Sequence, residues 1–367
     1  MRLILDSSNI VYGGYYGSPN YRISGFPMGG IRKFMGLVNS DVWQSDIVIC
    51  FDGAKTIKKE LLPRYKAGRV PNYAVIAQLD LLREILNDCG IPYYWDEQYE
   101  ADDFICSVVH FLASVRDTED TFVYSDDRDL ACCISDKVSL KNVTSNGTCI
   151  DMNNFEELVV KGTRVPYNTI LLHKMMFGDS SDNYTGLSIP GLRFDEFARI
   201  MVEQVGPFVE DKRLPVSAYM MYEVLEIIVN SLPETYGADS RAKLLEQGRI
   251  VFPQIFDVTA NGVDAYMKDL MSANEPPYRV QRRHIKSFSV GDFNQKKFDF
   301  YCNILNLNKC RPNKHNRGLV EEEEEFKNML SMRAKDLASG VLAVERYHNR
   351  KAVHAEPNPV QNMALPL

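Results

Sequence analysis

Most features that mark whole classes of protein are missing from this 367-residue chain. No apolar run approaches the ~18–20 residues that cross a bilayer, which excludes a membrane-spanning bundle. The opening stretch MRLILDSSN meets Asp6 straight after RLIL. That is too short an apolar core for a signal peptide, so a cytoplasmic protein is expected. Eight cysteines (Cys50, Cys89, Cys106, Cys132, Cys133, Cys149, Cys302 and Cys310) include no CxxC pair and lie mostly inside apolar segments. Buried thiols in a reducing compartment fit that pattern better than a disulfide frame or a zinc site. There is no internal repeat, and the six histidines share no spacing that would make them ligands. Neither charge sign dominates: 42 Lys and Arg against 49 Asp and Glu give −7, an average that weakly disfavours nucleic acid.

What is present is a soluble, globular composition, 45% hydrophobic and 25% charged, with room for two domains. Short β-rich runs at 2–5 (RLIL), 46–51 (DIVICF), 91–95 (IPYYW), 121–125 (TFVYS) and 138–143 (VSLKNV) read as strands. Helical patterns separate them, clearest at 74–89 and 100–115. Strands alternating with helices predict a parallel sheet with right-handed crossovers, an α/β fold. Beyond residue 153 the pattern turns helical, at 153–161, 166–177, 194–205, 216–231 and 240–248, with IVFPQIFD (250–257) read as extended. A weakly packed C-terminus follows, with a basic stretch, the acidic run Glu321–Glu325, one helical segment to about 352 and a Pro-containing tail.

The aspartates fall in telling places. Asp6 follows RLIL, Asp52 ends DIVICF, and Asp127 and Asp129 follow TFVYS. In a parallel sheet those positions converge on the C-terminal edge, where α/β sites form. Glu100, Asp102 and Asp103 open the 100–115 helix, and Asp179 and Asp182 lie three apart in GDSSDN. Any one of them is explained by a turn or a helix cap. Recurrence at three strand ends and in two further clusters is not. Carboxylates packed together repel one another unless cations neutralise them, and oxygen-only donors select Mg²⁺ or Mn²⁺ over zinc. Two such ions can activate water and stabilise a leaving oxygen in phosphodiester hydrolysis.

Cations sit beside the acids. The stretch KTIKKELLPRYKAGR carries Lys55, Lys58, Lys59, Arg64, Lys66 and Arg69 against Glu60, a local +5 beginning three residues after Asp52. A phosphodiester over an acidic site needs such cations, and Tyr65 beside them is suited to stack on an unpaired base. A second basic stretch includes Arg279, Arg282 and Arg283. Setting the nine clustered carboxylates aside turns −7 into +2, so the net charge averages over segregated charges.

These segments resemble the structure-specific 5′ nucleases: flap endonucleases, the 5′-nuclease domain of bacterial DNA polymerase I, and phage 5′–3′ exonucleases. FDGAKTIKKELLPRYKAGR (51–69) resembles the family's FDG…R…L.PEYKANR segment, QYEADDF (98–104) its GYEADD motif, and SDDRDL (125–130) its SGDKDL motif. GDSSDN (178–183) resembles the start of its helix–three-turn–helix segment. Four motifs in order, spread over residues 1–190, are specific together.

The resemblance implies a PIN-like parallel sheet flanked by helices over 1–175. A helical duplex-binding domain with a degenerate helix–three-turn–helix would occupy 176–310, and an extension 311–367. It implies that Asp6, Asp52, Glu100, Asp102, Asp103, Asp127, Asp129, Asp179 and Asp182 hold two or more Mg²⁺ ions. Lys66 and Arg69 would hold the scissile phosphate, with Tyr65 stacking nearby and Lys59 in the place of a family arginine. The implied substrates are DNA with 5′ flaps, nicks or ends and RNA–DNA hybrid, cut to leave 5′-phosphates during replication and repair. No polymerase motifs follow, as in free-standing phage members. The chain departs from the family after GDSSDN: Gly191 is kept, Arg193 stands at the second glycine position, and the usual lysine is missing. Arg193 and the 279–297 basic stretch are candidates to substitute in gripping duplex. The tail NMALPL resembles peptides that dock on bacterial-type sliding clamps, with Met363, Leu365 and Leu367 as apolar contacts. Two alternatives stay open, a PIN-type single-strand endoribonuclease and a non-catalytic DNA-binding replication factor of the same fold.

Overall fold

The computed structural model describes residues 1–41, 46–54, 59, 65–114, 117–143, 149–151, 159–160, 163–164, 182–183, 199–205, 218–252, 287–288, 293–307 and 319–354. The strands in chain order are β1 (Arg2–Asp6), β2 (Arg22–Ile23), β3 (Phe26–Pro27), β4 (Asp46–Cys50), β5 (Thr121–Tyr124), β6 (Val138–Lys141), β7 (Cys149–Ile150), β8 (Val159–Val160), β9 (Thr163–Arg164) and β10 (Ser287–Phe288). Six of them form one sheet in the order β10-β4-β1-β5-β6-β7. Its centre, β4-β1-β5-β6, is parallel, as the alternating pattern predicts. Every residue of β1 is buried. A strand covered on both faces reads as a continuous apolar run rather than an alternating one.

The helices of this domain are α1 (Ser7–Gly17), α2 (Gly29–Asp41), α3 (Tyr73–Cys89) and α4 (Ala101–Ser114). Local chemistry sets their ends. Asn72 Oδ1 accepts from Ala74 N and Val75 N at the start of α3, and Gly90 closes it in the left-handed conformation at φ 72°. Gln78, fully buried on α3, satisfies the start of α2: its Oε1 accepts from Gly30 N at 2.9 Å and Ile31 N at 3.3 Å. A removed Gln78 side chain would leave those buried N–H groups without acceptors.

Further on come α5 (Ala218–Ser231), α6 (Ala238–Phe252), α7 (Gln295–Ile304) and α8 (Leu319–His354). Several readings need correction. IPYYW makes one bridge, Cys50 to Tyr94, instead of a strand, because Pro92 has no N–H to donate. Residues 159–160 and 163–164 form a small antiparallel hairpin where a helix was expected to reach 161. Residues 250–252, read as extended, finish α6. The acidic run lies within α8, whose Phe326 and Leu330 are buried.

The C-terminal half returns to the sheet. β10 pairs antiparallel with β4 at the edge, Ser287 opposite Val48. Phe298, Phe300, Cys302 and Leu305 join Phe326 and Leu330 in the same core as Leu3, Ile47, Phe51 and Leu82. Arg333 on α8 binds Glu84 on α3 at 2.6 Å. Residues 298–305 and 326–337 therefore pack on the main core, where a weakly packed C-terminus was expected from about residue 309. Replacing Phe298, 2% exposed, with alanine is expected to cost ~3–5 kcal/mol in chemical denaturation. A loss below ~1 kcal/mol would show that α7 is not part of this core.

Candidate active site

The register of the sheet builds the site. Asp6, the last residue of β1, lies opposite Cys50 of β4, and Leu5 lies opposite Tyr124 of β5. Asp6, Asp52 and Asp127 therefore leave the sheet at one edge, on three adjacent strands.

Each carboxylate is pinned by the backbone it caps. Asp6 Oδ1 accepts from Asn9 N at 3.0 Å, starting α1, while its Oδ2 accepts from Ser125 Oγ at 2.7 Å. Asp127 Oδ1 accepts from Asp129 N at 3.0 Å, starting a 3₁₀ turn over Arg128–Cys133. At α4, Asp52 Oδ1 accepts from Ala101 N at 2.7 Å and Asp103 Oδ2 from Glu100 N at 2.9 Å. Asp103 thus reaches back to the residue before the helix as one half of a capping box, and both carboxylates lie at the positive end of α4. Gly53 makes the approach possible. Its N donates to Tyr99 O at 2.7 Å, and a Cβ there would overlap the carbonyls of Asp96 and Glu97.

The same bonds that start helices fix the carboxylates in place. Burial pushes Asp6 up to about 8, with the charges of Asp52 and Asp127 adding to it. Asp52 is raised too, by burial first and then by Asp102 and Glu100. These couplings link Asp127, Asp6, Asp52, Glu100 and Asp102 electrostatically. The donors are all oxygen, which fits hard divalent cations such as Mg²⁺ or Mn²⁺.

The basic segment meets the acids directly. Glu100 Oε2 accepts from Tyr65 Oη at 2.7 Å and its Oε1 from Lys66 Nζ at 2.9 Å. Lys66 sits at φ 50° in a turn over 65–68, and its N donates to Asp182 O at 3.0 Å. Arg69 Nη2 donates to Asp182 Oδ1 at 2.8 Å. Asp182 therefore faces the basic turn through Arg69. Lys59 is exposed, its Nζ 3.5 Å from Ala54 O. Asp179, Lys55, Lys58, Arg64, Arg193, Arg279, Arg282 and Arg283 lie outside the described residues, as do Met363 to Leu367.

The sequence reading missed Asn9, Ser125 and Asp126. Asn9 Oδ1 accepts from Asp126 N at 3.0 Å, and Asp126 Oδ1 accepts from Val143 N at 2.7 Å, locking β5 and β6 beside β1. Their signal was the pairing of two polar strand ends, DSSN and SDD, each rich in cap-forming residues.

Fold and site together define a parallel α/β domain with a carboxylate cluster at its C-terminal edge. Residues 1–160 match the model of the 5′-3′ exonuclease, N-terminal resolvase-like domain family. The chain is 30% identical over 199 residues to a 5′-3′ exonuclease of Bacillus subtilis (strain 168), matching 50% of this chain and 64% of the relative. It is 29% identical over 192 residues to DNA polymerase I of Borreliella burgdorferi, matching 50% of this chain and 21% of that polymerase. The chain thus spans less than two thirds of either relative. Among solved structures, T5 D15 protein co-crystallised with metal ions shares 18% identity, with a TM-score of 0.44, over 68% of this chain and 98% of that one. Among the described residues, no helix is long and apolar enough to cross a membrane.

A raised carboxyl pKa makes metal-free stability fall with pH. Asp6 is protonated in both folded and unfolded states below its ordinary range near 3.8. Between there and about 8 only the folded chain keeps the proton, so stabilisation is lost progressively and is gone above about 8. Thermal unfolding in EDTA should show Tm falling from pH 5 to 9, with a slope of at most ~1.4 kcal/mol per pH unit from one proton. Asp6→Asn should flatten that slope while keeping the cap. An unchanged slope would remove Asp6 from the cluster.

Proposed function

We propose that the chain is a divalent-metal-dependent 5′ nuclease, a 5′–3′ exonuclease or flap endonuclease. It would hydrolyse phosphodiesters near the 5′ ends of DNA or of RNA primers and leave 5′-phosphate products. The observation that carries the reading is the meeting of two charge sets. Three strand ends and the start of α4 supply carboxylates, with Asp6, Glu100 and Asp103 buried, and the Tyr65–Arg69 turn sets Lys66 on Glu100 and Arg69 on Asp182.

Asp6, Asp52, Glu100, Asp102, Asp103, Asp127, Asp129, Asp179 and Asp182 would hold the ions. Divalent ions bound there supply Lewis-acid activation of water and charge neutralisation at phosphorus. The chain's own residues do the rest. Lys66 pairs with Glu100, and Arg69 with Asp182, in the free protein. An arriving phosphate competes with Glu100 for Lys66 and with Asp182 for Arg69, and Glu100 would release Lys66 more readily when it also holds an ion. Lys66 and Arg69 then face the phosphate, where charge grows in the transition state. Tyr65 lies against Lys66, its ring centroid 4.8 Å from Nζ, placed to stack on an unpaired base.

Mg²⁺ is the ion proposed, with Mn²⁺ able to substitute. Residues 176–310 are proposed to grip duplex through Arg193, Arg279, Arg282 and Arg283. RNA–DNA hybrid is a further proposed substrate, and Met363–Leu367 a proposed sliding-clamp peptide. The setting proposed is replication and repair in the cytoplasm.

End-labelled flap, nicked, gapped and RNA–DNA substrates incubated with Mg²⁺ or EDTA test the activity. Cleavage is expected only with Mg²⁺ and not in an Asp127→Ala/Asp129→Ala variant; activity in EDTA would refute the proposal. Lys66→Ala should lower kcat ~10²–10³-fold with a smaller loss of substrate affinity, since its action falls mainly on the transition state. Equal losses in both would assign Lys66 to binding alone.

A further inference from the structure

Three sulfurs meet behind the carboxylates. Cys106 lies on α4, three residues beyond Asp103, and Cys132 and Cys133 end the 3₁₀ turn that Asp127 starts. The three Sγ atoms all lie within 4.8 Å of one another, with Cys106 and Cys133 3.5 Å apart. None forms a disulfide. Cys133 is buried, and Cys106 and Cys132 are half-buried.

We infer that Cys106, Cys132 and Cys133 form a second cation site, lined by sulfur and suited to a soft ion of the zinc type. At a Zn–S distance of ~2.3 Å, sulfurs sharing one ion stand ~3.8–4.0 Å apart, close to the spacing already present. Thiolates select soft cations as carboxylates select hard ones. Three protein ligands leave a fourth tetrahedral position for water. The hydrogen bonds among the thiols push each of them in both directions, and burial leaves all three well above the ordinary cysteine range. Without an ion they stay protonated and unreactive, and a bound ion displaces the protons. Such an ion ties α4, which carries Asp102 and Asp103, to the turn that carries Asp129. The inference does not rest on the nuclease reading.

The test titrates Co²⁺, then Zn²⁺, into the full chain in a phosphine reductant, with saturating Mg²⁺ present to occupy the carboxylate cluster. A single equivalent of Co²⁺ is expected to give thiolate-to-cobalt charge-transfer absorption, which Zn²⁺ then displaces. The band should be absent from Cys106→Ser and Cys133→Ser and retained in Cys149→Ser. Carboxylates give no such band, so the result is independent of any cleavage activity. Cys132→Ala, at a half-buried position, guards against variants that fail to fold. Zn²⁺ should raise the Tm of the wild-type chain by several degrees and leave that variant unmoved. Three results would overturn the inference. They are no sulfur band in the wild type, a band that survives in both serine variants, or a Cys106–Cys133 disulfide under the same reducing conditions.

Discussion

Repulsion among crowded carboxylates, resisted by the backbone that caps helices with them, is the constraint on which the site depends. Asp6, Asp52 and Asp103 each spend an oxygen on a main-chain N–H. None of them can swing away from its neighbours without uncapping a helix. A cap is worth ~1 kcal/mol, and a buried capping bond is dearer to lose because it leaves an unpaired donor behind. The cluster therefore stays assembled before any cation arrives. Its strain appears as retained protons, most clearly on Asp6.

The basic turn answers the same constraint from the other side. Glu100, the buried carboxylate opening α4, takes a phenol and an ammonium from Tyr65 and Lys66. The turn is itself anchored, through Lys66 N on Asp182 O and Arg69 on Asp182. Charges of both signs thus stand in mutual contact. The hard, oxygen-lined cluster and the three sulfurs behind it share α4 and the 3₁₀ turn, so each would feel the occupancy of the other.

Much of this was legible in the sequence because it is local. RLIL, DIVIC and TFVY gave their strands through β-branched apolar runs, and α3 and α4 followed from periodicity. The carboxylates could be read because strand ends converge by topology alone. Long-range placement was not legible. The return of residues 287–305 to the N-terminal core leaves no local mark, since β10 pairs with a strand more than two hundred residues earlier. The cysteine cluster was hidden for the same reason: its members come from two elements and match no metal-ligand spacing. Asn9 and Ser125 looked like ordinary turn residues, and only the fold shows them clamping Asp6 and Asp126.

Burial leaves a proton on Asp6 that divalent cations would displace on binding. Calorimetric titration of Mg²⁺ into the metal-free chain, repeated at pH 7 in buffers of different ionisation enthalpy, counts that proton directly. Close to one proton per chain should be released at pH 7 and almost none well above pH 8. Cation binding that releases no proton at pH 7 would contradict it.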